Sequence, residues 1–137
     1  MDSFSALVVD DEEEFLETVI KRLRKRNLNV AGAKSGDEAL QLLDQHPVDV
    51  VVLDVRMPGI DGIQTLREIK QNFPLVEVVM LTGHASTEVA IEGMEIGAFD
   101  YLMKPVDIDE LVFKLQDAYK KKLMQEKKIK NLEELKK

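Results

Sequence analysis

Strand-like and helix-like segments alternate five times along this chain, and that alternation limits its folds more than any other feature. Four short apolar runs stand out: Leu7 to Val9, Val50 to Leu53, Val78 to Leu81 and Tyr101 to Met103. Runs this short and continuous predict strands buried on both faces. A further strand, Asn29 to Ala33, is the weakest in apolar content and suits a sheet edge. Between the strands, apolar residues recur at helical spacing: Leu16, Val19, Ile20 and Leu23; Ala39, Leu40 and Leu43; Ile63, Leu66 and Ile69; Val89, Ala90 and Met94. Ser35 with Glu38, Asp61 with Gln64, and Asp107 with Glu110 have capping-box spacing. Asn27, Pro47, Pro58, Gly59, Pro74, Gly83 and Gly97 punctuate the gaps. The order predicts an α/β fold, a five-stranded parallel sheet with helices on both faces.

The length of 137 residues fits one domain with a proper core. The chain has no cysteine, which excludes disulfides and thiolate metal sites. No apolar stretch reaches the roughly 18 residues of a membrane span, and the N-terminus lacks a signal-peptide pattern. These features predict a cytoplasmic protein without membrane contact. The net charge of -7 is uneven: residues 1–106 carry 10 Lys+Arg against 19 Asp+Glu, and residues 107–137 carry 9 against 7. The acidic body argues against unspecific nucleic-acid binding.

Each apolar run ends in a chemically useful residue. The first leads into Asp10 and Asp11, the second into Asp54, the third into Thr82 and the fourth into Lys104. In an open parallel sheet, ligands gather at the carboxyl ends of the strands. Asp10 and Asp11 alone would read as helix caps, and Asp54 alone as a loop carboxylate. Together, three carboxylates repel one another unless a cation sits among them, and Mg2+ suits oxygen donors of this kind. Asp54 stands alone after the most apolar strand, where its carboxylate could attack phosphorus and form an acyl phosphate. Lys104 and the Thr82 hydroxyl would then neutralise phosphoryl oxygens.

This set resembles the receiver domain of two-component response regulators. The residues that carry the resemblance are Asp10 and Asp11, Asp54 in the run Leu53 to Gly62, Thr82 with Gly83, and Lys104 with Pro105. The stretches Leu81 to His84 and Gly97 to Pro105 are most similar to receivers of the nitrogen-regulator type. In that class an ATPase domain and a DNA-binding domain usually follow. The resemblance implies a doubly wound, flavodoxin-like (βα)5 receiver fold over residues 1–120. It implies that Asp54 accepts a phosphoryl group from a sensor histidine kinase or a phosphotransfer protein. Asp11 would ligate Mg2+ directly, Asp10 through water, and the Arg56 carbonyl would be a further ligand. Thr82 and Tyr101 would be the switch pair. Arg56 and His84 would tune the lifetime of the acyl phosphate, and the Lys104–Pro105 bond would be cis. Met57, Pro58 and Gly59 read as loop geometry. The output would be changed self-association or partner binding through the fourth helix, fifth strand and fifth helix, with Glu88, Glu92, Glu95, Tyr101 and Lys114 on or near that face. The chain would be a phospho-acceptor regulator, not an enzyme with turnover.

The fifth helix starts near Asp107 and has no stop signal before Lys137. Ile108, Leu111, Val112, Leu115, Ala118 and Tyr119 can pack on the sheet. Residues 121–137 admit two readings. One is a solvated tail. The other is a coiled-coil homodimer element, or a linker to a downstream effector domain, along Leu111, Leu115, Ala118, Lys122, Gln125, Ile129 and Leu132, with Lys122 and Gln125 as its weak points. Two rival functions fit less well. An aspartyl-phosphate phosphatase would want an aspartate where Arg56 stands, and a scaffold that takes no phosphate would not need the acidic set. A DNA-binding role for the basic tail lacks a helix-turn-helix pattern.

Overall fold

The computed structural model describes residues 3–56, 62–83 and 87–136. Its elements run β1 (Ser5–Val9), α1 (Glu13–Arg24), β2 (Asn29–Ala33), α2 (Gly36–Gln45), β3 (Val50–Asp54), α3 (Gly62–Asn72), β4 (Glu77–Thr82), α4 (Thr87–Ile96), β5 (Asp100–Met103) and α5 (Ile108–Glu134). The five strands form one parallel sheet in the order β2-β1-β3-β4-β5. After β1 the chain first builds outward to β2, then returns to β3 on the other side. The crevice of such a sheet opens where this reversal occurs, at the carboxyl ends of β1 and β3. Asp10 follows β1 and Asp54 ends β3, so the topology puts both carboxylates at that crevice.

Strand alternation sorts the core into two layers. Ala6, Val8, Val50, Val52, Val79 and Leu81 face α1 and α5, where they meet Leu16, Val19, Leu23, Leu111, Leu115 and Ala118. Leu7, Val9, Val51, Leu53, Val78 and Met80 face the opposite way, onto Ala39, Leu43, Leu66 and Ile69. Because both faces are covered, β3 and β4 are buried along their whole length, which is why their sequences are continuous rather than alternating. β2 is an edge strand with Asn29 and Ala31 exposed.

The helix ends follow local chemistry. Ser35 Oγ accepts the Glu38 N–H at 3.1 Å. Asp107 Oδ1 accepts the N–H groups of Asp109 at 2.9 Å and Glu110 at 3.2 Å. Asp61, the third expected cap, lies outside the described residues, as do Met57, Pro58 and Gly59. Asn27 takes the left-handed conformation, φ 65°, where α1 turns into β2.

One packing detail differs from the helical periodicity. On α4 the buried residues are Ala90 and Gly93, whereas Met94 is exposed. The helix passes so close to the sheet that a Cβ on Gly93 would lie 2.1 Å from Met80 Sδ, so small residues line the contact. The Glu92 carboxylate pairs with Arg67 of α3 at 3.1 Å.

α5 continues well beyond the sheet. Leu111, Leu115 and Ala118 are buried, and Tyr119 stacks on Phe4 with ring centroids 4.9 Å apart. The next position of that seam is Lys122, whose Nζ reaches Asp49 Oδ1 at 2.8 Å, while Asp49 Oδ2 accepts the Ser5 N–H at 2.8 Å. Lys121 Nζ lies 3.6 Å from buried Glu77. A lysine in the apolar seam therefore fastens α5 to the amino-terminal edge of the sheet. Burial acts to lower the Lys122 pKa, but the hydrogen bond to Asp49 and the charges of Asp49 and Glu126 outweigh it and raise it above 10.5. This pair thus stabilises the fold below pH 10.5, and its contribution is lost as pH rises through the elevated value. Lys122→Met is expected to cost roughly 1–2 kcal/mol at pH 7, because half-buried Asp49 loses its charged partner. The gap from wild type should close at strongly alkaline pH, as read by urea denaturation at both pH values. A gap that stays constant with pH would contradict this account. Beyond Lys122, Met124, Ile129, Leu132 and Leu135 are exposed.

Candidate functional site

Asp10 is fully buried just beyond β1, where its N–H donates to the Ala33 carbonyl at 3.1 Å. Its Oδ1 accepts the Glu12 N–H at 2.9 Å, and its Oδ2 accepts from Lys104 Nζ at 2.9 Å. Asp54, also buried, accepts the Arg56 N–H on Oδ1 at 3.0 Å, and its Oδ2 lies 3.5 Å from Lys104 Nζ. Asp11 is exposed at the rim. One carboxylate oxygen from each of Asp10, Asp11 and Asp54 lies within 4.8 Å of the others. Lys104 is brought in by β5, and its own N–H donates to the Thr82 carbonyl at 2.8 Å. Side chains spread over 94 positions thus converge because β1, β3 and β5 end at one edge of the sheet.

The electrostatics are unbalanced. Three carboxylates stand at a site with one ammonium, which contacts two of them, Asp10 and Asp54. Burial raises the Asp54 pKa, and the Asp10 charge adds to it, against the lowering effect of the Arg56 N–H and of Lys104. Burial acts to lower the Lys104 pKa, but the hydrogen bond to Asp10 and the charges of Asp54, Asp10 and Glu12 outweigh it and raise it. The surplus negative charge, all on hard oxygen donors, fits a divalent cation such as Mg2+. The acidic cluster therefore could hold a metal ion, with Lys104 fixed on its other side.

Thr82 ends β4, is buried, and turns its hydroxyl to donate to the Leu102 carbonyl at 3.5 Å. It also forms the inner end of a groove of about 420 Å3 between α4 and β5, whose walls include Ala90, Ile91, Met94, Glu95 and Tyr101. Tyr101 is 43% exposed in that groove. Lys114 pairs with Asp100 at 2.6 Å on the other side of β5. Arg56 has an exposed side chain, while its backbone N–H holds Asp54. The Lys104–Pro105 bond is cis. His84 lies outside the described residues.

Two contributors were not legible in the sequence. Phe15 places its ring 4.3 Å from Lys104 Nζ. Its one sequence signal is an aromatic in the first turn of α1, at helical spacing from buried Val19. Gly62 sits against the backbone that carries Asp54: a Cβ there would lie 2.5 Å from the Asp54 carbonyl oxygen.

Comparison with known proteins agrees with this geometry. The response regulator receiver domain model matches residues 6–116. The transcriptional regulatory protein ZraR of Escherichia coli K12 is 42% identical over 117 residues, covering 85% of this chain and 26% of that protein. The DNA-binding transcriptional regulator NtrC of Klebsiella pneumoniae is 39% identical over 107 residues, covering 78% of this chain and 23% of that protein. The chain thus spans about a quarter of the length of these relatives. The crystal structure of a response regulator receiver domain protein from Clostridium thermocellum superposes with a TM-score of 0.85 at 35% identity, covering 89% of this chain and 98% of that one. Crevice, topology and relatives all lead to one assignment: the chain belongs to the response regulator receiver domain family, whose members are phosphorylation-activated signalling domains of two-component systems, and within it to receivers of the nitrogen-regulator type.

Proposed function

We propose that this chain is a Mg2+-dependent phospho-acceptor switch whose acceptor is Asp54. The observation that carries the reading is the shared ammonium. Lys104 Nζ bridges Asp10 and Asp54 at 2.9 and 3.5 Å beside a third carboxylate, at the point where strand order reverses. Asp10, Asp11, Asp54 and the Arg56 carbonyl would hold Mg2+, which when bound supplies neutralising charge at a phosphoryl oxygen.

The chain's own residues do the rest. An Asp54 carboxylate oxygen forms a bond to phosphorus as the donor's P–N bond breaks. The donor imidazole leaves with the electron pair. Lys104 gives up its contact with Asp54 and binds a phosphoryl oxygen. Thr82 turns its hydroxyl from the Leu102 carbonyl toward the phosphoryl group, which vacates space behind it for Tyr101. That exchange biases the groove between α4 and β5 toward a second arrangement. Arg56, exposed at the rim, and His84 tune water access and so the lifetime of the acyl phosphate. The chain is a regulator that assists its own phosphorylation and dephosphorylation, not an enzyme acting on a separate substrate pool.

Residues 1–120 form the receiver unit in this reading, and residues 121–137 are the coiled-coil dimerisation element or the linker to an effector. The chain is cytoplasmic in this reading, and its partners are a sensor histidine kinase or phosphotransfer protein upstream, and a second copy, effector domain or protein target downstream. Direct contact with nucleic acid is not expected of residues 1–137, and among the described residues no helix is long and apolar enough to cross a membrane.

Light scattering with Mg2+, and then with Mg2+ plus beryllofluoride, tests the coupling between site and output. The expected result is a solution mass that doubles when the mimic occupies Asp54. A mass that is the same in both conditions would show that Asp54 occupancy does not control self-association.

A further inference from the structure

Lys104 has a third neighbour that charge balance does not require. Asp10 and Asp54 take two sides of its ammonium, and the face of the Phe15 ring takes another, 4.3 Å from Nζ to the ring centroid. The ring itself is held in place, because half-buried Phe15 packs against the core layer shared by α1, β1, β3, β4 and α5. It follows three consecutive glutamates, Glu12, Glu13 and Glu14, all exposed. An aromatic thus stands at the end of an acidic run, with its face toward the one ammonium of the site.

We propose that Phe15 is a positioning residue for phosphoryl transfer, holding the Lys104 ammonium over the acceptor carboxylate by a cation–π contact. An aromatic face attracts a cation through its quadrupole, and more strongly where water is excluded. That attraction has a property no carboxylate in its place would share. It does not depend on which anion Lys104 is bound to, so it persists while the ammonium exchanges Asp54 for a phosphoryl oxygen. A fourth carboxylate at residue 15 would add charge to an already acidic crevice and pull Lys104 back. A leucine would leave the end of a flexible four-carbon stem held by the carboxylates alone, without the ring face. The ring limits the wandering of Nζ without competing for its N–H groups.

The test uses the full chain with Mg2+ and phosphoramidate, and rests on Asp54 being the acceptor. Phe15 is replaced by a series of progressively fluorinated phenylalanines, which drain charge from the ring face while keeping its shape. The labelling rate is expected to fall stepwise along the series, by about tenfold at the fully fluorinated ring. Phe15→Leu should fall as far, and Phe15→Tyr should keep the wild-type rate. In proton NMR spectra the Lys104 ε-methylene resonances should lie upfield in the wild type and lose that ring-current shift in Phe15→Leu. Equal rates across the fluorinated series, or ε-methylene resonances without the shift, overturn the proposal and leave Phe15 as core packing alone. A wild-type chain that takes no label overturns the acceptor assignment and this inference with it. A labelled wild type with a flat series overturns this inference alone.

Discussion

Asp54→Asn is expected to abolish Mg2+-dependent labelling of the chain by a small-molecule phosphodonor, and to raise its thermal midpoint in metal-free buffer. The first effect follows from chemistry: a neutral amide oxygen is a poor nucleophile, and no other carboxylate shares the position of Asp54 between Lys104 and the Arg56 N–H. The second follows from burial. Asp54 has a pKa raised above its ordinary 3.8, chiefly because burial penalises the charged form. The folded state therefore holds the Asp54 proton more tightly than the unfolded chain does. The stabilisation this gives is present below pH 3.8 and is lost as pH rises through the elevated value, so at neutral pH the ionised side chain opposes folding. Asparagine keeps the shape and removes the charge. Mg2+ should then raise the midpoint of the wild type more than that of the variant. Intact-mass spectrometry reads the first effect and calorimetry the second. Labelling of Asp54→Asn at the wild-type level would contradict the acceptor assignment. An Asn variant less stable than wild type without metal would contradict the electrostatic one.

Gly62→Ala should be the most damaging single-methyl change near the site. The added Cβ would lie 2.3 Å from Val55 Cα, 2.5 Å from the Asp54 carbonyl oxygen and 2.7 Å from the Val55 carbonyl carbon. All three are backbone atoms, so no rotamer change relieves the overlap. α3 must move away from the end of β3, which loosens Leu66 and Ile69 in the core layer behind it. Overpacking of this kind typically costs about 1–3 kcal/mol, and a backbone clash belongs at the upper end. The expected result is a loss of about 3 kcal/mol, or a thermal midpoint roughly 9 °C lower. Because the displaced carbonyl belongs to Asp54, the labelling rate should also fall, by at least about tenfold. Gly93→Ala is the instructive contrast. Its Cβ would meet Met80 Sδ at 2.1 Å and Cε at 2.5 Å, the flexible end of a side chain that can repack. It should cost roughly 1 kcal/mol and leave the labelling rate near wild type. Denaturation curves that rank the two glycines the other way would refute the close-approach argument.

The sheet and the residues at its carboxyl edge were legible because both rest on local rules. A strand buried on both faces must be apolar throughout, so β3 and β4 announce themselves, and the first polar residue after each marks the edge. Asp10, Asp54, Thr82 and Lys104 could be placed together on that rule without knowing any distance. What periodicity could not supply was anything set by a neighbour remote in sequence. Lys122 looked like a flaw in an apolar seam, and its reason is Asp49, 73 positions earlier. Met94 fitted the helical spacing of α4, but the closeness of Met80 gives the buried position to Gly93. Glu92, expected on or near the face of the fourth helix, fifth strand and fifth helix, also has a partner on α3, Arg67, that periodicity does not reveal. Phe15 drew no reading from the sequence; it packs against the core, and its ring face also meets the site's ammonium.

The most direct test of the central claim is to find where the phosphoryl group goes. The chain is incubated with a phosphodonor and Mg2+, the acyl phosphate is trapped by borohydride reduction, and the reduced residue is located by peptide mass spectrometry. The prediction is a single modified position, Asp54, and none when Mg2+ is chelated. Modification at Asp10, Asp11 or any other carboxylate, or no Mg2+-dependent modification at all, would contradict it.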